Sequence, residues 1–131
     1  MIIGIGHDIA SIARIEQMLL AATGEKLLAR ILTEPERARA GELRGGRLAE
    51  FVAGRFAAKE AISKAFGCGI GRMIGFDDMT IGHDAAGKPE CQLSDPAYAR
   101  LGIDAARIKI HLTITHEEKL ASAFAVIEQI G

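Results

Sequence analysis

The residues best suited to chemistry lie in one charged segment, residues 55–67, with the sequence RFAAKEAISKAFG. With a helical repeat of 3.6 residues, the large apolar side chains of this region share one sector, and Arg55 and Lys59 project from its middle. Glu60 and Lys64 lie along the border of that sector. An unpaired charge among apolar side chains is costly to bury, so the pattern predicts an anion bound against this helix.

A simpler explanation of the same charges stays open at this point. Lys and Arg side chains can extend their charged ends from an apolar stripe into solvent. Glu60 and Lys64, four residues apart, would also stabilise a helix by a few tenths of a kcal/mol with no ligand present. The segment by itself therefore does not decide between a binding site and a structural helix.

Local signals in the first half of the chain predict the elements that must position these residues. A short buried strand is expected over residues 1–5, ending at Gly6, and Ser11 can cap the helix that follows it. Residues 33–36, TEPE, have the form of a capping box with proline in the first turn, and predict a helix to about Leu43. Residues 26–32 suggest a further helix, and Gly45 and Gly46 mark the break before the long charged helix.

The second half of the chain contains strands. Two short strands, 79–81 and 90–93, are expected to form a hairpin, and a short helix over 95–101 follows. The clearest alternation of apolar and polar residues runs over 108–115, and a last strand is expected over 120–127. Helices and strands mix without regular alternation, which favours a single α+β domain, residues 1–131, with the long central helix packed on a mainly antiparallel sheet.

Composition excludes several classes of function. Sixteen Lys and Arg against 17 Asp and Glu give a net charge of −1, which argues against bulk binding of nucleic acid. Two cysteines, Cys68 and Cys91, are too few for a disulfide framework or a zinc site. The N-terminal segment has no basic leader and no apolar run reaches membrane-spanning length, so a cytoplasmic protein is expected.

Three segments are informative when they are considered together: GIGHD at 4–8, residues 55–67, and TITH at 113–116. Alone, Asp8 would be a turn or cap residue and His116 an ordinary loop histidine. Together and in this order, they resemble the holo-acyl-carrier-protein synthases, the small bacterial class of 4′-phosphopantetheinyl transferases. The resemblance runs nearly end to end, and residues 51–71 match the signature of the family closely.

The resemblance implies an enzyme with a defined reaction. It would transfer the 4′-phosphopantetheine arm of coenzyme A to a serine hydroxyl of apo acyl carrier protein, in support of fatty acid biosynthesis. The other product would be adenosine 3′,5′-bisphosphate. The family is magnesium dependent and places its active sites in clefts between the subunits of a homotrimer, which suits a chain too short for a deep cleft of its own.

Asp8, Glu60 and Lys64 match the catalytic positions of the family. Asp8 and Glu60 would hold Mg²⁺ against the pyrophosphate of coenzyme A, since magnesium prefers oxygen ligands. Lys64, one helical turn after Glu60, would neutralise charge on the transferred phosphate. The proton acceptor for the serine stays open between a carboxylate, either Glu60 or Asp8, and a metal-bound water.

The resemblance also implies residues that bind coenzyme A. Arg55, His116 and, less directly, Lys59 are candidates for the adenosine phosphates. Lys64 would contact the transferred phosphate, and Gly67 would open a glycine-rich stretch, 67–71, that lets backbone approach coenzyme A. For Gly67 itself, a simple role as a helix C-cap is the alternative.

The carrier protein should be strongly acidic, so its docking surface should be basic with apolar contacts. Arg14 and Met18, four residues apart on the first helix, correspond to partner-facing positions of the family. Lys26 and Arg30 could extend the patch, although exposed basic residues on helices are common.

Three departures from the family pattern are minor. Thr113 stands where serine is frequent and keeps the hydroxyl. His7 occupies the variable position before Asp8 and is not predicted to bind the metal. Residues 95–106 are longer than in compact members, and the sequence assigns this segment no role.

Two other classes of function compete with the enzyme. One is a coenzyme-A-binding module without turnover, which would not need both Asp8 and Glu60 beside Lys64. The other is a structural oligomerisation domain, which gives no reason for Arg55 and Lys59 on an apolar face.

Overall fold

A three-stranded antiparallel sheet forms the base of the molecule, in the strand order β1–β5–β4. The computed structural model describes residues 1–131. Strand β1 spans Ile2–Ser11, β4 spans Ile108–His116 and β5 spans Leu120–Gln129. Because β5 pairs with both neighbours along nearly its whole length, it occupies the centre of the sheet.

Side-chain alternation gives this sheet two different faces. The buried face of β5 carries small and apolar residues at every second position. These residues are Ala121, Ala123, Ala125 and Ile127. The alternation expected over 108–115 is confirmed, since the polar positions of β4 are exposed and the apolar positions are wholly or partly buried. The opposite face of the sheet has no helix of this chain on it, and large apolar side chains there are exposed.

Five helices complete the main architecture. They are α1 (Ile12–Leu20), α2 (Gly24–Ile31), α3 (Glu34–Ala40), α4 (Gly45–Ala65) and α5 (Asp95–Leu101). The Ser11 hydroxyl accepts a hydrogen bond from the backbone N–H of Arg14 at 3.2 Å, so the predicted cap of α1 is confirmed. The predicted capping box of α3 is also present, although that helix ends earlier than expected, and Gly45 and Gly46 lie inside α4 rather than before it.

Helix α4 packs against the sheet through its smallest residues. Its buried face is formed largely by alanines, all of them at most 3% exposed. Opposite them, β1 presents Gly4 and Gly6. A Cβ atom on Gly4 would lie 1.7 Å from the carbonyl oxygen of Ala65, and one on Gly6 would lie 1.8 Å from that of Ala61. The strand and the helix therefore meet backbone to backbone, at a separation that only glycine permits.

Strand β1 differs from the short buried strand that the sequence predicts. It continues through Gly6 and Asp8 to Ser11, because β5 offers a pairing partner over that whole length. Ile2, Ile3 and Ile5 are exposed rather than buried. The helix covers only the glycine side of the strand, so the isoleucine at position 5 points to the uncovered face of the sheet.

The remaining elements form a smaller unit beside β4. Strands β2 (Met79–His83) and β3 (Pro89–Leu93) form the predicted antiparallel hairpin. Two 3₁₀ turns, Phe76–Asp78 and Ala105–Arg107, flank this unit. The predicted helix over 95–101 is confirmed as α5, with Ser94 as its N-cap. The expected α+β fold, with a long helix packed on an antiparallel sheet, is thus confirmed. No helix has the length and apolar character needed to cross a membrane.

The glycine contact predicts a strong effect of one added methyl group. We expect Gly6→Ala to lower the free energy of unfolding by about 3 kcal/mol, because the strand must move off the Ala61 carbonyl. Urea unfolding measures this change. The matched control is Gly82→Ala in β2, where a Cβ atom would meet nothing within 4 Å. Equal stability of the two variants would contradict the proposed role of the contact.

Candidate active site

The close packing of β1 on α4 brings Asp8 beside Lys64. The Lys64 ammonium group donates a hydrogen bond to Oδ1 of Asp8 at 2.9 Å and lies 3.4 Å from the carbonyl oxygen of His7. Asp8 raises the pKa of Lys64 through this hydrogen bond and through its charge. The pair is partly exposed to solvent, with 48% of the lysine side chain accessible. It can therefore meet a ligand that arrives from solution.

Glu60 lies one turn before Lys64 on the same helix and is half-buried. Burial raises the pKa of Glu60, the negative charge of Asp8 raises it further, and Lys64 opposes both effects. The two carboxylates therefore interact electrostatically although they come from different elements. The structure brings together Asp8, Glu60 and Lys64, the three residues predicted to be catalytic.

A cavity of about 670 Å³ opens beside Glu60. Its lining comes from β1, β5, α1, α2, α4, the Phe76 turn and the loop after α4, and most of these residues are apolar. Arg14 and Met18, predicted to face the partner, line the same cavity, and so does Arg30. Lys26 is not among the lining residues. One pocket thus joins a carboxylate, two arginines and an apolar wall.

Lys59 has a different role from the one that the sequence suggested. Its ammonium group is fully buried and donates to Oε1 of Glu36 at 2.6 Å, to the Ile31 carbonyl at 2.7 Å and to the Phe76 carbonyl at 3.1 Å. These bonds use all three donors of the group. Burial lowers the pKa of Lys59, and Glu36 opposes that shift. The predicted anion on Lys59 is therefore wrong, because the compensating charge belongs to the protein itself.

Glu36 is the important residue that sequence reasoning missed. Besides Lys59, its carboxylate accepts from the backbone N–H of Thr33 and of Ile81, each at 2.8 Å. The capping box did identify Glu36, but that local role was a sufficient explanation for an acidic residue there. The position of Lys59 in the apolar sector of the helix could have indicated this role of Glu36, since a buried ammonium group requires an acidic partner.

Arg55 lies apart from Asp8, Glu60 and Lys64, in a second cavity of about 300 Å³. The guanidinium group stands 4.4 Å from the ring centroid of Phe51, and its buried Nε has no hydrogen-bond partner. Burial lowers the pKa of Arg55, while the charge of Glu36 opposes that shift. A buried donor without an acceptor is costly, so this side chain has hydrogen-bonding capacity available for a ligand.

His116 and Gly67 occupy positions at the ends of elements. His116 is the last residue of β4 and is exposed. Gly67 follows α4 with φ of +86°, and its N–H donates to the carbonyl of Lys64 at 2.9 Å, while Cys68 donates to Ser63 at 3.2 Å. This is the Schellman arrangement of a helix end. The structure thus shows Gly67 in the capping role that the sequence had left as an alternative.

His7 lies on the other face of the sheet from Asp8. Its ring stacks on Phe124 with centroids 4.2 Å apart, and its Nε2 is 3.0 Å from the hydroxyl of Ser122. The His7 ring therefore points away from Asp8 and Lys64.

Asp8 and Glu60 are the carboxylates available to a magnesium ion at this place. The protein has no group of three or more His, Cys, Asp or Glu side chains arranged to hold a metal ion. Asp8 and Glu60 nevertheless provide two interacting carboxylates next to an open cavity. Mg²⁺ commonly takes one or two carboxylates from the protein and its other ligands from phosphate and water. The residues therefore fit a magnesium ion that is completed by a phosphate-bearing substrate.

Comparisons with known proteins identify the family. The model of the 4′-phosphopantetheinyl transferase superfamily matches residues 4–125. A holo-[acyl-carrier-protein] synthase of Bacillus cereus is 47% identical over 131 residues, which cover 100% of this chain and 99% of the relative.

Solved structures extend the similarity to the fold. A holo-(acyl-carrier-protein) synthase of Bacillus anthracis, crystallised in complex with CoA (3′,5′-ADP), has a TM-score of 0.83 and 46% identity, with 98% of each chain covered. The synthase of Neisseria meningitidis has a TM-score of 0.85 and 36% identity, covering 98% of this chain and all of the other.

The electrostatics of Glu60 predict a pH-dependent effect on stability. Burial and Asp8 raise the pKa of Glu60 in the folded protein above its value in the unfolded chain. At a pH above that raised pKa, the ionised Glu60 side chain therefore lowers the free energy of unfolding. The cost is absent below the ordinary carboxyl pKa of about 4.3, where both folded and unfolded chains hold the proton. In EDTA, we expect Glu60→Gln to melt above the wild-type protein at pH 7.5, with the difference closing as pH falls.

Calorimetry over that pH range provides the measurement. Glu118→Gln, in the exposed turn between β4 and β5, is the matched control and should not change the melting temperature. A Glu60→Gln variant that melts below wild type at pH 7.5, or whose advantage grows in acid, would contradict the assignment.

Proposed function

This chain belongs to the 4′-phosphopantetheinyl transferase superfamily, and we propose that it transfers 4′-phosphopantetheine from coenzyme A to a serine hydroxyl of apo acyl carrier protein. The serine oxygen forms a bond to the phosphorus that carries the pantetheine arm. The bond from that phosphorus to the bridging pyrophosphate oxygen breaks, and adenosine 3′,5′-bisphosphate leaves. The reaction supplies holo carrier protein for fatty acid biosynthesis.

The observation that carries this proposal is the cluster of Asp8, Glu60 and Lys64, of which Glu60 lines the larger cavity. Phosphoryl transfer requires alignment of the reactants and neutralisation of spread charge. Lys64 lies one helical turn after Glu60, so both side chains can face the same phosphate group. Asp8 holds the Lys64 ammonium group in place through a hydrogen bond of 2.9 Å. In a complex with coenzyme A, Lys64 would exchange part of its contact with Asp8 for contact with phosphate.

We propose Mg²⁺ as the metal, held by Asp8 and Glu60. When bound, it would supply charge neutralisation at the pyrophosphate. The mutual repulsion of the two carboxylates supports a cation at this place, because it raises the cost of leaving both charged and unpaired. Lys64 offsets only part of that repulsion.

We propose that the carrier protein docks over Arg14 and Met18. Both line the cavity that contains Glu60, so a partner seated on them would bring its serine towards the catalytic cluster. Arg30 adds a second cation to the same wall. An acidic partner with an apolar contact patch suits this surface.

We further propose a homotrimer whose active sites lie between subunits. The uncovered face of the sheet exposes large apolar residues, including Ile5 at 63%, Ile9 at 53% and Phe124 at 48%. A patch of this kind marks an interaction surface. Arg55 and Glu60 line separate cavities in one chain, so one chain does not bring them into the same site. In the trimer, Arg55 and His116 of one subunit would bind the adenosine phosphates at the site that Glu60 of a neighbouring subunit forms.

We also place the protein in the cytoplasm. Both cysteines are free thiols, as expected in a reducing compartment. The proposed substrate and co-substrate are consistent with that location.

The transferase proposal predicts a mass gain on the carrier protein. We expect apo acyl carrier protein incubated with this protein, coenzyme A and Mg²⁺ to gain one phosphopantetheine group in intact-mass spectrometry. EDTA should abolish the gain and added Mg²⁺ restore it, and Glu60→Ala should slow it by about 100-fold or more. Glu118→Ala is the matched control and should act like wild type.

The outcomes separate the competing functions. Coenzyme A binding without transfer to any of several carrier proteins would favour the non-catalytic binding module. Absence of both binding and transfer would favour the structural oligomerisation domain. Full activity in EDTA would contradict the magnesium assignment alone.

The trimer predicts complementation between inactive variants. Arg55→Ala and Glu60→Ala should each be inactive, yet a refolded equal mixture should regain about a quarter of wild-type activity, since random assembly pairs intact Arg55 with intact Glu60 at that frequency. A mixture that stays inactive would place both residues in the site of one subunit.

The exposed apolar face predicts that Phe124→Glu prevents assembly. Light scattering of this variant should show loss of the trimer.

A further inference from the structure

The loop after α4, residues 67–75 and here named the glycine-rich loop, borders the larger cavity. Its residue Ile70 lines that cavity together with Glu60. Gly67, Gly69 and Gly71 have open space around them, since a Cβ atom on any of them would meet nothing within 4 Å. The loop therefore presents accessible backbone near Glu60, which is proposed to hold the metal at the pyrophosphate of coenzyme A.

The first part of this loop is fixed to the end of α4. The carbonyl of Ser63 accepts hydrogen bonds from the backbone N–H groups of Cys68 and Gly69, each at 3.2 Å. A further bond of 2.9 Å joins the N–H of Gly71 to the carbonyl of Ile74, which is fully buried. The beginning and middle of the loop thus depend on bonds from its own backbone and from α4.

The last part of the loop is held from outside, by α5. Arg100 on α5 donates from Nε to the carbonyl of Met73 at 2.9 Å and from Nη2 to Oδ2 of Asp78 at 2.6 Å. The same carboxylate oxygen accepts from the backbone N–H of Gly75 at 2.8 Å, and Oδ1 accepts from the hydroxyl of Ser94 at 2.6 Å. Asp78 and Arg100 together therefore fix both Met73 and Gly75.

The chemistry of the pair suits a positioning role. Burial alone would raise the pKa of Asp78, but hydrogen bonds from Gly75, Ser94 and Arg100 and the arginine charge outweigh it and lower that pKa below its ordinary value. A guanidinium group has rigidly spaced donors and can bind two different acceptors at once. A lysine at position 100 would have one flexible ammonium group in place of this fork.

We infer that Arg100 is a positioning residue that holds the glycine-rich loop in the conformation that receives coenzyme A. This inference rests on the proposed function, because it takes the open backbone of the loop as part of the coenzyme A site. It gives the segment 95–106 a role that the sequence did not reveal. The Arg100 side chain is 39% exposed, so its ion pair contributes little to folding stability and its loss should leave a folded protein.

The test compares three variants for coenzyme A binding by calorimetry and for steady-state kinetics. We expect Arg100→Gln to raise the Kd of coenzyme A and the KM for coenzyme A by about tenfold, because misplaced binding groups lose affinity. The KM for the carrier protein and the melting temperature should stay close to wild type. Arg100→Lys should keep the ion pair with Asp78 but not the second bond, and give an intermediate Kd.

Arg107→Gln is the matched control. Arg107 also donates to backbone carbonyls, those of Ile130 and Gly131, but at the chain end and away from the larger cavity. Arg107→Gln should leave the Kd of coenzyme A and both KM values unchanged. An Arg100→Gln variant with wild-type Kd and KM for coenzyme A would overturn the inference, as would equal losses in Arg107→Gln.

Failure of the proposed function looks different from failure of this inference. If wild-type protein neither binds coenzyme A nor transfers phosphopantetheine, both proposals fall. If wild type is active and Arg100→Gln differs from it only in melting temperature, the ion pair is structural and only the inference falls. Should Arg100→Gln fail to fold, the Arg100→Lys variant decides by the same Kd.

Discussion

The backbone contact between β1 and α4 is the constraint on which the rest of the molecule depends. Gly4 and Gly6 lie against the carbonyls of Ala65 and Ala61, where no side chain can fit. This separation sets the height of the long helix above the sheet. It also places Asp8, two residues after Gly6, within hydrogen-bond distance of Lys64. The contact between Asp8 and Lys64 is thus a consequence of core packing, not of a flexible loop brought to the site.

The cations of α4 show how one helix divides its charges between structure and chemistry. Lys59 is neutralised inside the protein by Glu36 and links α2, α3 and the Phe76 turn to the helix. Lys64 faces solvent and has only Asp8 and a carbonyl as partners. Arg55 is buried but keeps an unpaired donor. Because a buried ion pair must satisfy its hydrogen bonds within the fold, Lys59 is not available to a ligand, whereas Lys64 and Arg55 are.

Sequence patterns predicted the elements whose causes are local. The Ser11 cap, the box at Thr33 and the alternation of β4 depend on neighbouring residues, and all three are present. The extent of β1 was not predictable in this way, because its exposed isoleucines look like core residues until the pairing with β5 is known. The pairing of Lys59 with Glu36, 23 residues away, likewise depends on tertiary structure. The family resemblance predicted roles for Asp8, Glu60 and Lys64, while the structure supplied their positions.

The separation of Arg55 from Glu60 and the uncovered sheet face have a common origin in the architecture. A sheet of three strands with one long helix on it buries only one of its faces, so a single chain leaves apolar strand residues in solvent. In the single chain, Glu60 and Arg55 line two separate cavities. Association through the uncovered face would bury the apolar strand residues and bring the cavities of different subunits towards each other. One interface would then both cover the apolar face of the sheet and complete the proposed active site.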